Sequence, residues 1–84
     1  MAVEVTIYSS DLCGFCYRAK RLLDSKQVAY AEIKVDGDRE KHREMVNLTG
    51  GYTVPQIIIN NQPVGGCDDL YALERENQLD ALLG

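Results

Sequence analysis

Apolar and polar residues change period several times along the chain, and each change predicts an element. Val3 to Tyr8 is β-branched and partly alternating, as in a strand, and Ser9-Ser10-Asp11 is turn chemistry. From Cys13 the period becomes helical. Cys16, Ala19, Leu22 and Leu23 share one face, Arg18, Lys20, Arg21 and Asp24 lie largely off it, and the helix is expected to end near Lys26. Val28 to Val35 alternates again, with Ala29, Ala31, Ile33 and Val35 set against Tyr30, Glu32 and Lys34, which predicts a second strand. Asp38 is placed to cap a second helix with the apolar stripe Met45, Val46 and Leu48. Its charged run 38–44, His42 included, reads as the solvated side, and Gly50-Gly51 stops it.

Gln56-Ile57-Ile58-Ile59 is a short continuous apolar run, the pattern of a strand buried on both faces. Asn60-Asn61 reads as a two-residue hairpin turn and Gln62 to Gly65 as the returning strand. Pro63 has no N–H to give a ladder, so this strand is expected at an edge. After Gly65-Gly66, Asp68 or Asp69 opens a third helix with Leu70, Tyr71 and Leu73 inside, and Leu79, Leu82 and Leu83 form a last short turn or helix. The order is β-α-β-α-β-β-α, without linker or repeat, read as a single domain over residues 1–84. A βαβ crossover is right-handed with parallel strands, whereas a hairpin is antiparallel. The expected class is therefore α/β, a central four-stranded mixed sheet with helices on both faces.

Eighty-four residues make about half of a typical ~150-residue domain, enough for one small core. An apolar share of 45% with 26% charged residues excludes a disordered chain. No apolar run approaches the ~18–20 residues that span a bilayer, so no membrane partner is expected. No export signal is visible, and the cytoplasm is the expected location. Nine basic against thirteen acidic residues give a net charge of −4, which argues against nucleic acid as a partner.

The chemistry lies in sulfur. Three cysteines, Cys13, Cys16 and Cys67, are an odd number for a disulfide framework. Thiols are normally kept reduced in a chain without an export signal, so Cys13-Gly14-Phe15-Cys16 reads as a redox pair or a metal ligand pair. Structural zinc commonly takes two close pairs, and here there is one, with Cys67 and His42 far off in sequence. The position between a strand and a helix favours redox chemistry. The Cys13 sulfur falls beside the unpaired N–H groups and positive dipole end of a helix, both of which favour a thiolate. Cysteines in such places titrate at about 3.5–7.5, against about 8.5 for a free thiol. Cys16, one turn on, is expected to be more buried and less ionised. The two sulfurs lie within disulfide reach. A sulfur of low basicity gains most as a leaving group, which suits a site regenerated by a small thiol.

Three segments in order, Cys13-Gly14-Phe15-Cys16 with Ala19-Lys20, then Thr53-Val54-Pro55-Gln56, then Gly65-Gly66-Cys67-Asp68-Asp69-Leu70, resemble the glutaredoxin family, its bacterial type above all. The resemblance covers essentially the whole chain and implies a thioredoxin-like fold. It also implies a thiol-disulfide oxidoreductase that uses glutathione as reductant on disulfide or glutathionylated proteins, working as a monomer. It makes Cys13 and Cys16 catalytic and Pro55 a cis proline that turns the backbone of Val54 toward Cys13. Glutathione then lies along Thr53, Val54 and Pro55, with its γ-glutamyl end at Gly66, Cys67 and Asp68. Phe15, Tyr17 and Lys20, with Arg18 nearby, are further contact candidates. Cys67 by itself reads as a small buried residue. Family members with a small residue after the first cysteine can hold a [2Fe–2S] cluster between two protomers, and Gly14 makes this the alternative. The chain departs from the family at Gly14-Phe15, where Pro-Tyr is common, and at Ser10 and Gly51, where many relatives carry side chains for the ligand's glycine carboxylate.

Overall fold

A computed structural model describes residues 3–84. The elements are β1 (Val5–Ser9), α1 (Gly14–Ser25), β2 (Ala31–Lys34), α2 (Arg39–Thr49), β3 (Gln56–Ile59), β4 (Gln62–Gly65), α3 (Cys67–Arg75) and α4 (Leu79–Leu83). The sheet order is β2-β1-β3-β4. β1 runs parallel to β2 and antiparallel to β3, which pairs antiparallel with β4. The expected mixed four-stranded α/β sheet is present, with β4 at an edge. Asn60 and Asn61, with φ of 50° and 65°, make the hairpin turn.

Strand alternation divides the interior. Val5 and Ile7 project from β1 into a cluster with Ala19, Leu22 and Leu23 of α1, Ile57 and Ile59 of β3, Leu70 of α3, and Leu79 and Leu83 of α4. Tyr8 projects to the opposite face, where its hydroxyl donates to Glu44 of α2 at 2.5 Å. α2 is capped by Asp38, whose carboxylate accepts from the Lys41 N–H at 3.0 Å. Lys26 pairs with Glu74 and Asp80 at 2.7 and 2.8 Å and ties the end of α1 to α3 and α4.

The structure corrects several boundaries. β1 begins at Val5 rather than Val3, and β2 is limited to Ala31–Lys34. β2 is an edge strand with only Ile33 half-buried, so the alternation from Val28 to Val35 overstated its length. Leu48 is exposed, and Met45 alone of α2 is fully buried. α3 starts at Cys67, ahead of both aspartates expected to open it. His42 is half-buried, and its Nε2 lies 2.8 Å from the Tyr52 carbonyl oxygen.

Leu23 is fully buried and Leu12 fully exposed. Leu23→Ala is expected to lower the unfolding free energy by about 2–5 kcal/mol in urea, while Leu12→Ala stays within about 0.5 kcal/mol. Burial, then the bond and charge of Glu44, push the Tyr8 hydroxyl up from its ordinary 10.0 to about 12. A folded state that holds this proton more tightly is favoured fully below pH 10.0, and the advantage disappears as pH rises through about 12. The melting temperature should therefore fall over that interval, and Tyr8→Phe should flatten the fall.

Candidate active site

Cys13 occupies the N-cap of α1 with extended backbone, φ −130° and ψ 106°. Its sulfur accepts from the Cys16 N–H at 3.1 Å, and its carbonyl accepts from the Tyr17 N–H at 3.1 Å. The sulfur thus takes the place that an oxygen of Ser or Asp fills at most helix starts. The loop before it is fastened to the end of β2. Ser10 Oγ donates to Asp36, the Asp11 N–H donates to Asp36 at 2.8 Å, and Lys34 pairs with Asp11. The three cysteines are free thiols, and they differ in exposure. Cys13 is half-buried; Cys16, at 1% exposure, lies behind it in the interior. Burial first, then the hydrogen bond with Cys13, pushes the Cys16 thiol up from its ordinary 9.0 to about 12.

The bond between Val54 and Pro55 is cis, and the Val54 carbonyl oxygen lies 3.8 Å from the Cys13 sulfur. A groove of about 280 Å³ opens here, between Phe15, the Thr53–Gln56 segment and the start of α3 at Gly66–Asp69. Two glycines bring its walls together. Gly65 has φ of +108°, and a Cβ there would meet Asp69 Oδ2 at 2.2 Å; a Cβ at Gly66 would approach the Pro55 carbonyl oxygen to 3.3 Å. Asp69 accepts from the Gly66 N–H at 3.0 Å and so caps α3 from inside its first turn. Asp68 is left exposed at the groove. Cys67 is buried at 5% exposure, and that burial raises its thiol, with the charge of Arg18 pulling the other way.

Thr53, Val54, Pro55, Gly66, Cys67 and Asp68, far apart in sequence, thus share one groove with Phe15. Tyr17 and Lys20 do not line it. Tyr17 is exposed with the Arg21 guanidinium 5.8 Å from its ring centre, and Lys20 donates to Glu32 at 2.9 Å. Arg18 lies 5.7 Å from the ring centre of Tyr71. Sequence reasoning missed two lining residues, Gln56 and Asp69. Gln56 Nε2 donates to the Thr53 carbonyl at 2.9 Å, and its amide fills the room a side chain at residue 51 would need, since a Cβ on Gly51 would meet that nitrogen at 2.4 Å. A large polar residue opening a strand right after Thr53-Val54-Pro55 was the available signal.

A half-buried sulfur at a helix start, with a second thiol behind it and a peptide-sized groove beside it, suits thiol-disulfide exchange. Known proteins agree. The glutaredoxin family model matches residues 5–64. Glutaredoxin 3 of Escherichia coli strain K12 is 51% identical over 80 residues, covering 95% of this chain and 96% of that protein. The solution structure of glutaredoxin from Brucella melitensis superposes with a TM-score of 0.85 at 48% identity, covering 98% of this chain and 89% of that one. A buckwheat glutaredoxin-glutathione complex superposes with a TM-score of 0.85 at 29% identity, covering 94% and 74%. With its motifs, sheet order and cysteine pair in place, the chain belongs to the glutaredoxin family of thiol-disulfide oxidoreductases.

Proposed function

We propose that this chain is a glutathione-dependent reductase of protein disulfides and of glutathionylated mixed disulfides, with Cys13 as nucleophile and Cys16 as resolving thiol. The observation that carries the reading is the contrast between the two thiols, one half-buried beside the groove-lining Val54 and one enclosed in the interior. In the one-thiol route Cys13 attacks the glutathionyl sulfur of a mixed disulfide and releases the reduced partner, and a second glutathione regenerates Cys13. In the two-thiol route Cys13 attacks a protein disulfide, Cys16 displaces the product, and glutathione reduces the Cys13–Cys16 bond.

The groove supports glutathione as the small thiol. An extended tripeptide can pair with the backbone of Val54 as a short added strand, its cysteine directed at Cys13. The N–H groups at Gly66, Cys67 and Asp68 begin a helix and suit a carboxylate, while the Asp68 side chain suits an ammonium. Thr53 and Pro55 form the floor beside Val54. Protein substrates have exposed side chains to meet at Leu12, Phe15 and Tyr17, next in the chain to the cysteines, and at Tyr52, next to Thr53. The reading includes a monomer in the reducing cytoplasm. No helix among the described residues is long and apolar enough to cross a membrane.

Turnover coupled to glutathione, glutathione reductase and NADPH tests the assignment. Cys13→Ser should lower both activities to background. Cys16→Ser should keep deglutathionylation within a few-fold and remove protein-disulfide reduction. Turnover that persists in Cys13→Ser, or that runs on thioredoxin reductase in place of glutathione, would assign another chemistry.

One observation favours a second reading, a [2Fe–2S] dimer. A Cβ built at Gly14 has nothing within 4 Å, so the space beside Cys13 is open to a second protomer. Cys13 would give one thiolate from each protomer and bound glutathione the others, and the cluster would supply one-electron chemistry. Among the described residues, no group of three or more His, Cys, Asp or Glu can hold a metal within one chain. Purification without oxygen should give a brown dimer that bleaches when glutathione is withdrawn; a colourless monomer discards this reading.

A further inference from the structure

The second exchange of the two-thiol route requires Cys16 to lose a proton inside the protein. Burial, the hydrogen bond with Cys13 and any negative charge on Cys13 all oppose that loss. Two groups favour it, the backbone at Ser10 and the charge of Lys20. Lys20 follows Cys16 by four residues on α1, so its side chain lies next to that of Cys16 at the border of the buried face. Its ammonium is held in place. Nζ donates to Glu32 of β2 at 2.9 Å, and the same Glu32 oxygen accepts from the hydroxyl of Ser9 of β1 at 2.5 Å, a residue with no exposed surface.

The surroundings of this relay are few. Lys20 faces Glu32 and Tyr30 from the side of β2, and Cys16 on its own helix. Glu32 faces Ser9, Lys20 and Lys34, and the bond from Ser9, then that from Lys20, holds its carboxyl below the usual range. Cys16 faces Cys13 and Lys20. When Cys13 has joined a substrate sulfur it carries no charge, and the charge still acting on Cys16 is that of Lys20.

We infer that Lys20 is a positioning residue for the second exchange, aimed by Glu32 and Ser9 so that its ammonium favours a thiolate on Cys16 once Cys13 carries the mixed disulfide. This rests on the proposed two-thiol route. In that step the Cys16 proton passes to water and the freed sulfur pair forms the Cys13–Cys16 bond. The bond between Cys13 and the substrate sulfur breaks, and its electron pair leaves on the substrate as a thiolate that takes a proton from water. The cysteine pair is oxidised and the substrate reduced.

The aromatic disulfide 5,5′-dithiobis(2-nitrobenzoate) separates the two exchanges, because each releases one coloured thiolate. The first release reports attack by Cys13 and the second attack by Cys16. In Lys20→Gln the first phase should stay within twofold of wild type, while the second slows about fivefold at pH 7 and its pH profile moves upward. Lys20→Arg, which keeps the charge, should restore the second phase. A second phase in Lys20→Gln with wild-type rate and pH profile overturns the inference, and so does equal slowing of both phases. Failure of the underlying route is distinct: Cys13→Ser would still show a first phase, or Cys16→Ser would still show a second.

Discussion

The hydrogen bond from the Cys16 amide to the Cys13 sulfur, 3.1 Å long, joins fold and chemistry in one contact. An N-cap satisfies one of the four donors left open at a helix start and is worth roughly 1 kcal/mol when made by oxygen. In the proposed function the capping atom is also the nucleophile, so the cap is altered whenever that sulfur joins another. The start of α1 must then stand on its other supports. These are the Tyr17 amide bonded to the Cys13 carbonyl and the loop pinned through Ser10, Asp11 and Asp36. Because these contacts do not use the sulfur, the cap can be consumed in a reaction without loosening the loop that presents it.

Charge is arranged to the same end. The chain carries an acidic excess of four, and carboxylates near Cys13 would oppose a thiolate. The acids of the loop before α1 and of the β2 end are engaged. Asp11 meets Lys34, Glu32 meets Lys20 and Ser9, and Asp36 meets Ser10 and the Asp11 amide. The bond from Ser10, then the backbone, holds Asp36 below the usual carboxylate range, as Ser9 and Lys20 do for Glu32. Each of these anions is directed at a donor or cation in the scaffold, and the positive end of α1 is left to act on Cys13.

How much of this is readable from residues alone depends on the range of the interaction. Element order was legible because period is local: Cys16, Ala19, Leu22 and Leu23 repeat with a helical turn and are all buried in α1. Asp38 as a cap and Asn60-Asn61 as a hairpin turn were legible for the same reason. The length of β2 was not, because an edge strand ends where its single partner β1 ends, whatever its own alternation. The start of α3 was misjudged because its cap comes from Asp69, within the helix, reaching back to the Gly66 amide. The two cysteines were placed by their spacing, whereas the cis bond at Pro55 followed only from the family resemblance. The filling of the space beside Gly51 by Gln56 depends on a strand and a loop meeting in three dimensions, and no local pattern carries it.

The groove and the cysteine pair have separate origins in the chain. The groove exists because Gly65 and Gly66 let the start of α3 close on the cis Val54-Pro55 segment, and none of these contacts involves Cys13 or Cys16. The redox pair exists because a strand ends and a helix begins at Cys13, and none of its bonds involves α3. They meet at the Val54 carbonyl, 3.8 Å from the Cys13 sulfur, and at Phe15, which lies between the cysteines and lines the groove. A change at Gly14-Phe15 therefore acts both on how the sulfurs exchange and on the wall of the groove that Phe15 provides. Ser10 and Gly51 turn no free side chain toward the groove, because the Ser10 hydroxyl is turned to Asp36 and the place beside Gly51 is taken by the Gln56 amide. In the proposed function, recognition accordingly rests on the backbone at Val54 and on the start of α3 rather than on side chains at residues 10 and 51.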